Sequence, residues 1–372
     1  MECKFLSHGF ALSYDNTVKP CCEWEVDDEW RNANHFSNIN LADWHNKLSD
    51  SREQFKNGVW PSNCHRCKSA EENSNHYSVR QQGNNAYANL TGDDITLEIR
   101  PGSVCNFACQ TCWPAASSRV TQYHSKAGFI DIKSVNSTAI TDFDFLNNIK
   151  HRIKNVTILG GEPFYDKNCK KFLTWATDNL NSNISMYTNG SVVDLDWLQS
   201  YQGTITLTVS MDAVGRPAEY VRYGTVWTDV LNNFAAMKSL ATETRVNITT
   251  SPYNYHLIEN LIDFLLEDWP ALVTFSTARG ESTYTGAVIP DDIKKTVIES
   301  LGRSCIKMLK SDVAQDQKMN AVEYMRALIT QFKSSTYNPL LHEEWRVKTK
   351  QLDDAKGITP SDYCDVLGLL LR

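Results

Sequence analysis

From residue 95 onward, short apolar runs alternate with segments of helical length, the texture of successive βα units. The pattern predicts strands at 95–99, 156–159, 184–187, 205–210, 246–250 and 272–276, with helices filling the gaps. After Asp166, the residues Phe172, Leu173, Ala176 and Leu180 repeat at helical spacing, as a crossover helix packed on a parallel sheet requires. Six such units predict an α/β fold, an open partial (βα)6 barrel of TIM-like type with its active loops at the carboxyl ends of the strands. Upstream, 41–56 reads as one amphipathic helix with Leu41, Trp44, Leu48 and Phe55 roughly on one face. A turn signal stands at Asp15-Asn16, and the polar run 71–89 reads as a connection between two units. The stretch from 291 to 372 reads as helical, with a loop through Tyr337-Asn338-Pro339. The expected organisation is therefore 1–90, 91–290 and 291–372.

The chain has 372 residues, 41% hydrophobic and 22% charged, which is the balance of a folded globule. Its net charge of −7 argues against broad attraction to nucleic acid. Residues 1–9 lack a basic region followed by an apolar core, and no later segment has the apolar length of a bilayer span. The expectation is a cytoplasmic protein without a membrane partner. Eleven cysteines are many for a reducing compartment, where metal binding or catalysis is a commoner use than disulfides.

Two groups of cysteines have ligand spacing. Cys105, Cys109 and Cys112 form C-x3-C-x2-C on the loop after the first predicted strand. Three thiolates can each hold one iron of a cubane whose usual complement is four, so the fourth iron stays open to a chelating small ligand. Cys3, Cys21-Cys22 and Cys64-His65-Arg66-Cys67 form the second group, suited either to zinc or to an iron–sulfur cluster. Cys169, Cys305 and Cys364 are isolated and read as buried apolar residues.

The three-cysteine loop is followed at successive strand ends by Gly160-Gly161-Glu162-Pro163, Tyr187-Thr188-Asn189-Gly190 and Val209-Ser210-Met211-Asp212. In this order the motifs resemble those of the radical S-adenosylmethionine superfamily. The resemblance implies a 4Fe-4S cluster on Cys105, Cys109 and Cys112 that binds S-adenosylmethionine and cleaves it to a 5′-deoxyadenosyl radical, which removes hydrogen from a substrate. It further implies that Gly160, Gly161, Glu162 and Pro163 meet the methionine amino group, that Asn189 and Ser210 bind the ribose or carboxylate, and that Arg222 grips the carboxylate. Thr111 stands where many members carry an aromatic residue, so adenine contact there rests mainly on backbone hydrogen bonds. Asp212 is a candidate catalytic acid or base, or a residue that fixes the strand end.

The segment from Cys3 to Glu72 is similar to the N-terminal auxiliary-cluster segment of twitch-type members of the superfamily, through Cys3, Pro20-Cys21-Cys22, Trp44 and Cys64 to Glu72. That similarity implies an auxiliary 4Fe-4S cluster on Cys3, Cys21, Cys64 and Cys67, with Cys22 as the alternative to Cys21. Trp113-Pro114 with Ser117-Ser118, the run 219–224 and the run 352–357 extend it towards the end of the chain. A one-electron donor such as flavodoxin or ferredoxin and a peptide or small-molecule substrate are the implied partners. Two other outcomes stand beside a peptide-modifying enzyme: a small-molecule or carbohydrate dehydrogenase, and a non-catalytic metal-binding scaffold.

Overall fold

The computed structural model describes residues 1–73, 78–267, 269 and 271–371. Eight strands are described: β1 (Gly9–Leu12), β2 (Val18–Lys19), β3 (Ile95–Ile99), β4 (Ile153–Ile158), β5 (Asn183–Thr188), β6 (Ile205–Ser210), β7 (Glu243–Thr250) and β8 (Leu272–Thr277). They lie in one sheet in the order β2-β1-β3-β4-β5-β6-β7-β8. From β3 onward, sheet order follows chain order, as consecutive βα units produce. Parallel registers pair Phe10 with Leu97, Leu97 with Val156, Val156 with Ile184, and Val246 with Val273. Each of these residues is apolar and buried, so the register is held by burial. The fold is α/β with a mostly parallel sheet, and helices Asp291–Lys310, Gln315–Ser334 and Pro339–Lys356 follow the last strand.

All six expected strands are present, and the helix after Asp166 spans Lys167–Asn179 with Cys169, Phe172, Leu173 and Ala176 buried. Three features depart from expectation. The sheet gains two strands before Ile95: β1 and β2 form a hairpin across the Asp15-Asn16 turn, where Asn16 takes a left-handed φ of 60°. The predicted helix 41–56 is broken into a short turn, Trp44–Lys47 and Ser49–Lys56, although Leu41, Trp44, Leu48 and Phe55 are all buried as the pattern required. In the predicted connection 71–89, residues 74–77 lie outside the described residues, and a helix occupies Val79–Ala86. It starts on a capping box in which Ser78 accepts from Gln81 N and the Gln81 side chain accepts from Ser78 N.

By contacts the chain divides into two units. The first holds Met1–Ser103, Asn136–Tyr187 and Asp194–Thr206, and the second holds Val104–Val135, Thr188–Val193 and Leu207–Arg372. Among the described residues no helix is long and apolar enough to cross a membrane.

Candidate functional site

In the first unit, Cys3, Cys21, Cys64 and Cys67 line one pocket, together with Trp24, Phe55, Trp60 and Arg80. The chain arrives there from three directions. Cys3 precedes a short helix, Cys21 follows the β1–β2 hairpin, and Cys64 and Cys67 flank the start of the helix His65–Asn73. Burial raises the Cys3 thiol to about 11, and burial with the charges of Cys3 and Cys67 raises Cys64 to about 12. In such an apolar wall the thiolate form is unfavourable unless a cation binds it. Cys22 is exposed and does not line the cavity. His65 pairs with Glu25 on the surface, Nδ1 to Oε2 at 2.7 Å.

Arg80 lies on the cavity wall. Its guanidinium donates to Glu71 Oε1 at 2.8 Å and Oε2 at 2.6 Å and lies over the rings of Phe55 and Trp60. Ser78 Oγ also donates to Glu71, at 2.5 Å. Nothing in the cysteine spacing marked Arg80, since its role arises only when the helix Val79–Ala86 packs beside the cavity.

The glycine pair at the end of β4 belongs to the same unit. Gly160 has φ +135°, and a Cβ there would overlap the Gly102 carbonyl oxygen, which also accepts from Gly161 N at 3.2 Å. This backbone crossing in itself demands glycine. Glu162 is fully buried, and its Oε1 accepts from Phe164 N at 3.3 Å. Pro163 is buried beside it, and Asp166 caps the following helix by accepting from Asn168 N.

In the second unit, the loop 105–112 is seated on the backbone of 221–223. Ala108 N donates to Tyr223 O at 2.7 Å and Gln110 N to Val221 O at 2.8 Å. Ser118 Oγ accepts from Cys105 N, Ser117 Oγ donates to Phe107 O, and Arg119 donates to Asn106 O. Gly224, with φ +109°, leaves room for Asn106 and Phe107. These contacts give structural tasks to Ser117-Ser118 and to the run 219–224. Burial pushes the Cys112 thiol up, and the charges of Cys109 and Cys105 push it further, so both of those sulfurs lie within electrostatic reach of Cys112. Thr111 is half-buried between the second and third cysteines.

Asp212, expected as a candidate acid or base, is fully buried with both oxygens engaged. Oδ1 accepts from Thr249 N at 2.7 Å and Oδ2 from Arg222 Nη1 at 2.8 Å. That environment suits a carboxylate that orients Arg222. Burial opposes the Arg222 charge, but Cys109 and Asp212 outweigh it and raise its pKa, while Nε is buried with no hydrogen-bond partner among the described residues. Asn189 donates to Asn106 Oδ1 at 2.9 Å and accepts from Ser191, so its amide braces the cysteine loop. Ser210 stands half-buried at the end of β6.

Gln110 was not expected as a site residue. It is 2% exposed and every polar group it carries is engaged. Nε2 donates to Asp353 Oδ1 at 3.0 Å, Oε1 accepts from Lys356 Nζ at 2.7 Å, and its carbonyl accepts from the Tyr284 hydroxyl at 3.0 Å. Of the isolated cysteines, Cys169 and Cys305 are buried, whereas Cys364 is half-buried with Sγ 3.6 Å from His256 Nε2.

Among the described residues no group of three or more His, Cys, Asp or Glu side chains is arranged to hold a metal ion. Cubane ligands each bind a different iron, so their sulfurs are spread more widely than the donors of a single ion. Thiols collected from separate segments and withdrawn from water fit such a group.

No family model matches the chain, and no curated protein matches it. Solved structures do resemble it. One is native anSMEcpe with bound AdoMet and the Cp18Cys peptide, at 18% identity over 57% of this chain and 60% of that one, TM-score 0.41. Another is Streptococcus suis SuiB bound to S-adenosylmethionine, at 15% identity over 75% and 65%, TM-score 0.38. A third is TYW1 with a lysine-pyruvate adduct bound, at 16% identity over 60% and 78%, TM-score 0.34. The chain spans about three fifths of the length of the anSMEcpe structures it matches. Likenesses this remote carry no functional weight, and the site is read from its own residues.

Proposed function

We propose that the chain is a radical S-adenosylmethionine enzyme with a core 4Fe-4S cluster on Cys105, Cys109 and Cys112 and an auxiliary 4Fe-4S cluster on Cys3, Cys21, Cys64 and Cys67. The observation that carries this is the second unit's loop: the desolvated Cys109 and Cys112 thiols, with Cys105 in electrostatic reach of Cys112, beside an arginine whose buried Nε has no hydrogen-bond partner among the described residues. When bound, the cluster and S-adenosylmethionine supply a 5′-deoxyadenosyl radical for hydrogen abstraction, after one electron from a donor of the flavodoxin or ferredoxin type. The residues of the chain bind and orient. Arg222, aligned by Asp212, presents a guanidinium suited to a carboxylate. Ser117, Ser118 and the carbonyls of Val221 and Tyr223 hold the loop, and Asn189 braces it through Asn106.

A peptide is the substrate we favour, and the reading places the enzyme in the cytoplasm. The second reading is oxidation of a small molecule or carbohydrate. The test is anaerobic reconstitution followed by iron and sulfide analysis, then incubation with S-adenosylmethionine and a reductant. The expected result is a brown protein that forms 5′-deoxyadenosine, and more of it with substrate peptide. A colourless zinc protein that forms none would establish the scaffold reading instead.

A further inference from the structure

The turn Asp353–Lys356 closes the helix Pro339–Lys356, which ends on left-handed Gly357 with φ 72°. Its two charged side chains take opposite ends of one neutral amide: the Asp353 carboxylate accepts from Gln110 Nε2, and the Lys356 ammonium donates to Gln110 Oε1. The helix end is itself pinned, since Lys126 Nζ donates to Ala355 O at 2.6 Å and the Tyr223 hydroxyl to Lys356 O at 3.2 Å. Tyr220 Oη donates to the second Asp353 oxygen at 2.8 Å, so Asp353 is fully committed. Gln110 stands between Cys109 and Cys112, so that turn is held through both its side chain and its backbone.

Lys356 sits in an unusual place for a lysine. Its hydrogen-bond acceptor is a neutral amide oxygen rather than a carboxylate, and the acidic groups in electrostatic reach are Asp353 and Cys109. A partly desolvated ammonium is costly unless negative charge stands near it. Asp353 supplies part of that charge, and a cluster held by Cys109 would bring further negative charge within reach of the same ammonium.

We propose that Lys356 is a positioning and charge-setting residue for the cysteine loop: with Asp353 it clamps Gln110, and its ammonium makes the cluster on that loop easier to reduce. The proposal rests on the cluster assignment above. Reduction adds one negative charge to the cluster, and a fixed cation in a low-dielectric surrounding favours the more negative state.

The test is a redox titration of the reconstituted full chain, following by electron paramagnetic resonance the cluster signal that changes on adding S-adenosylmethionine. Wild type is compared with Lys356→Arg and Lys356→Met, and Lys356→Gln replaces the latter if it does not fold, as judged by circular dichroism. The expected result is a midpoint displaced to more negative potential in Lys356→Met or Lys356→Gln and close to wild type in Lys356→Arg. An unchanged midpoint in the uncharged variant overturns the proposal while leaving the cluster assignment standing. A wild-type protein that takes up iron but shows no S-adenosylmethionine-sensitive signal, or takes up none, overturns both.

Discussion

Arg80 and Glu71 form a two-pronged ion pair at the rim of the four-cysteine cavity, with Nε to Oε1 at 2.8 Å and Nη2 to Oε2 at 2.6 Å. The pair is mostly shielded, with side-chain exposures of 15% and 16%, so its hydrogen bonds compete with little water. Arg80 Nη1 also donates to Glu2 O at 2.7 Å, which ties the chain near Cys3 to the segment after Cys67.

Replacing Arg80 by Met keeps packing against Phe55 and Trp60 but strands Glu71. The expected loss is about 2 kcal/mol in urea denaturation of the metal-free chain. The variant is also expected to retain less metal, because the cation facing the cysteines is gone. Arg80→Lys restores the charge without the fork and should fall between the two. Equal stability of all three chains would show that the pair does not hold the cavity wall.

Gly160→Ala places a Cβ against the Gly102 carbonyl in a backbone region that L residues avoid. The expected cost is about 2 to 3 kcal/mol, or failure to fold. Gly58→Ala is the control: its φ is also positive, at +79°, but among the described residues nothing lies within 4 Å of the added Cβ, so only the backbone cost of about 1 kcal/mol applies. Comparable denaturation midpoints for the two variants would remove the crossing as the reason for glycine.

The contrast between those glycines shows where the sequence was readable. Val156, Ile184 and Val246 announced their strands because a buried parallel sheet demands apolar runs. β1 was not announced, since four residues buried without alternation look the same in a strand and in a short helix. The break at Leu48 was equally silent: its neighbours keep the apolar face while the helix is interrupted. Motif spacing found the cysteines, but the partners that seat them, Gln110 and Arg80, act through residues far away in sequence or packed from another helix. Composition and periodicity carry no record of such pairings.

Asp353 supplies a pH dependence. Burial raises its carboxyl to about 6, against the opposing hydrogen bonds of Tyr220 and Gln110 and the charge of Lys356, with Asp354 adding to the rise. An unfolded aspartate ionises near pH ~3.9. Between about pH 4 and that raised value, the folded chain keeps a proton that the unfolded chain has released, so this group favours folding most at the acid end and less as pH climbs, with no further change beyond. Asp353→Asn removes the titration while retaining an acceptor for Gln110. Urea denaturation at pH 4.5 and pH 7 should show wild type losing on the order of 2 kcal/mol relative to the variant across that interval. Parallel profiles would refute the raised carboxyl.

Adjacent cysteines give the sharpest separation. Cys21 lines the cavity with Cys3, Cys64 and Cys67, whereas its neighbour Cys22 is exposed and its carbonyl accepts from Lys19 Nζ at 3.2 Å. A thiol outside the cavity cannot complete a four-sulfur site without moving the hairpin that fixes Pro20 and the strand before it. Cys21→Ser is therefore expected to lose most of the iron bound by the N-terminal site after anaerobic reconstitution, measured in a chain whose Cys105, Cys109 and Cys112 are replaced by alanine. Cys22→Ser in the same background is expected to retain it. The reverse result would make Cys22 the ligand and require the segment after β2 to rearrange on binding, and equal retention in both would mean that either sulfur can serve.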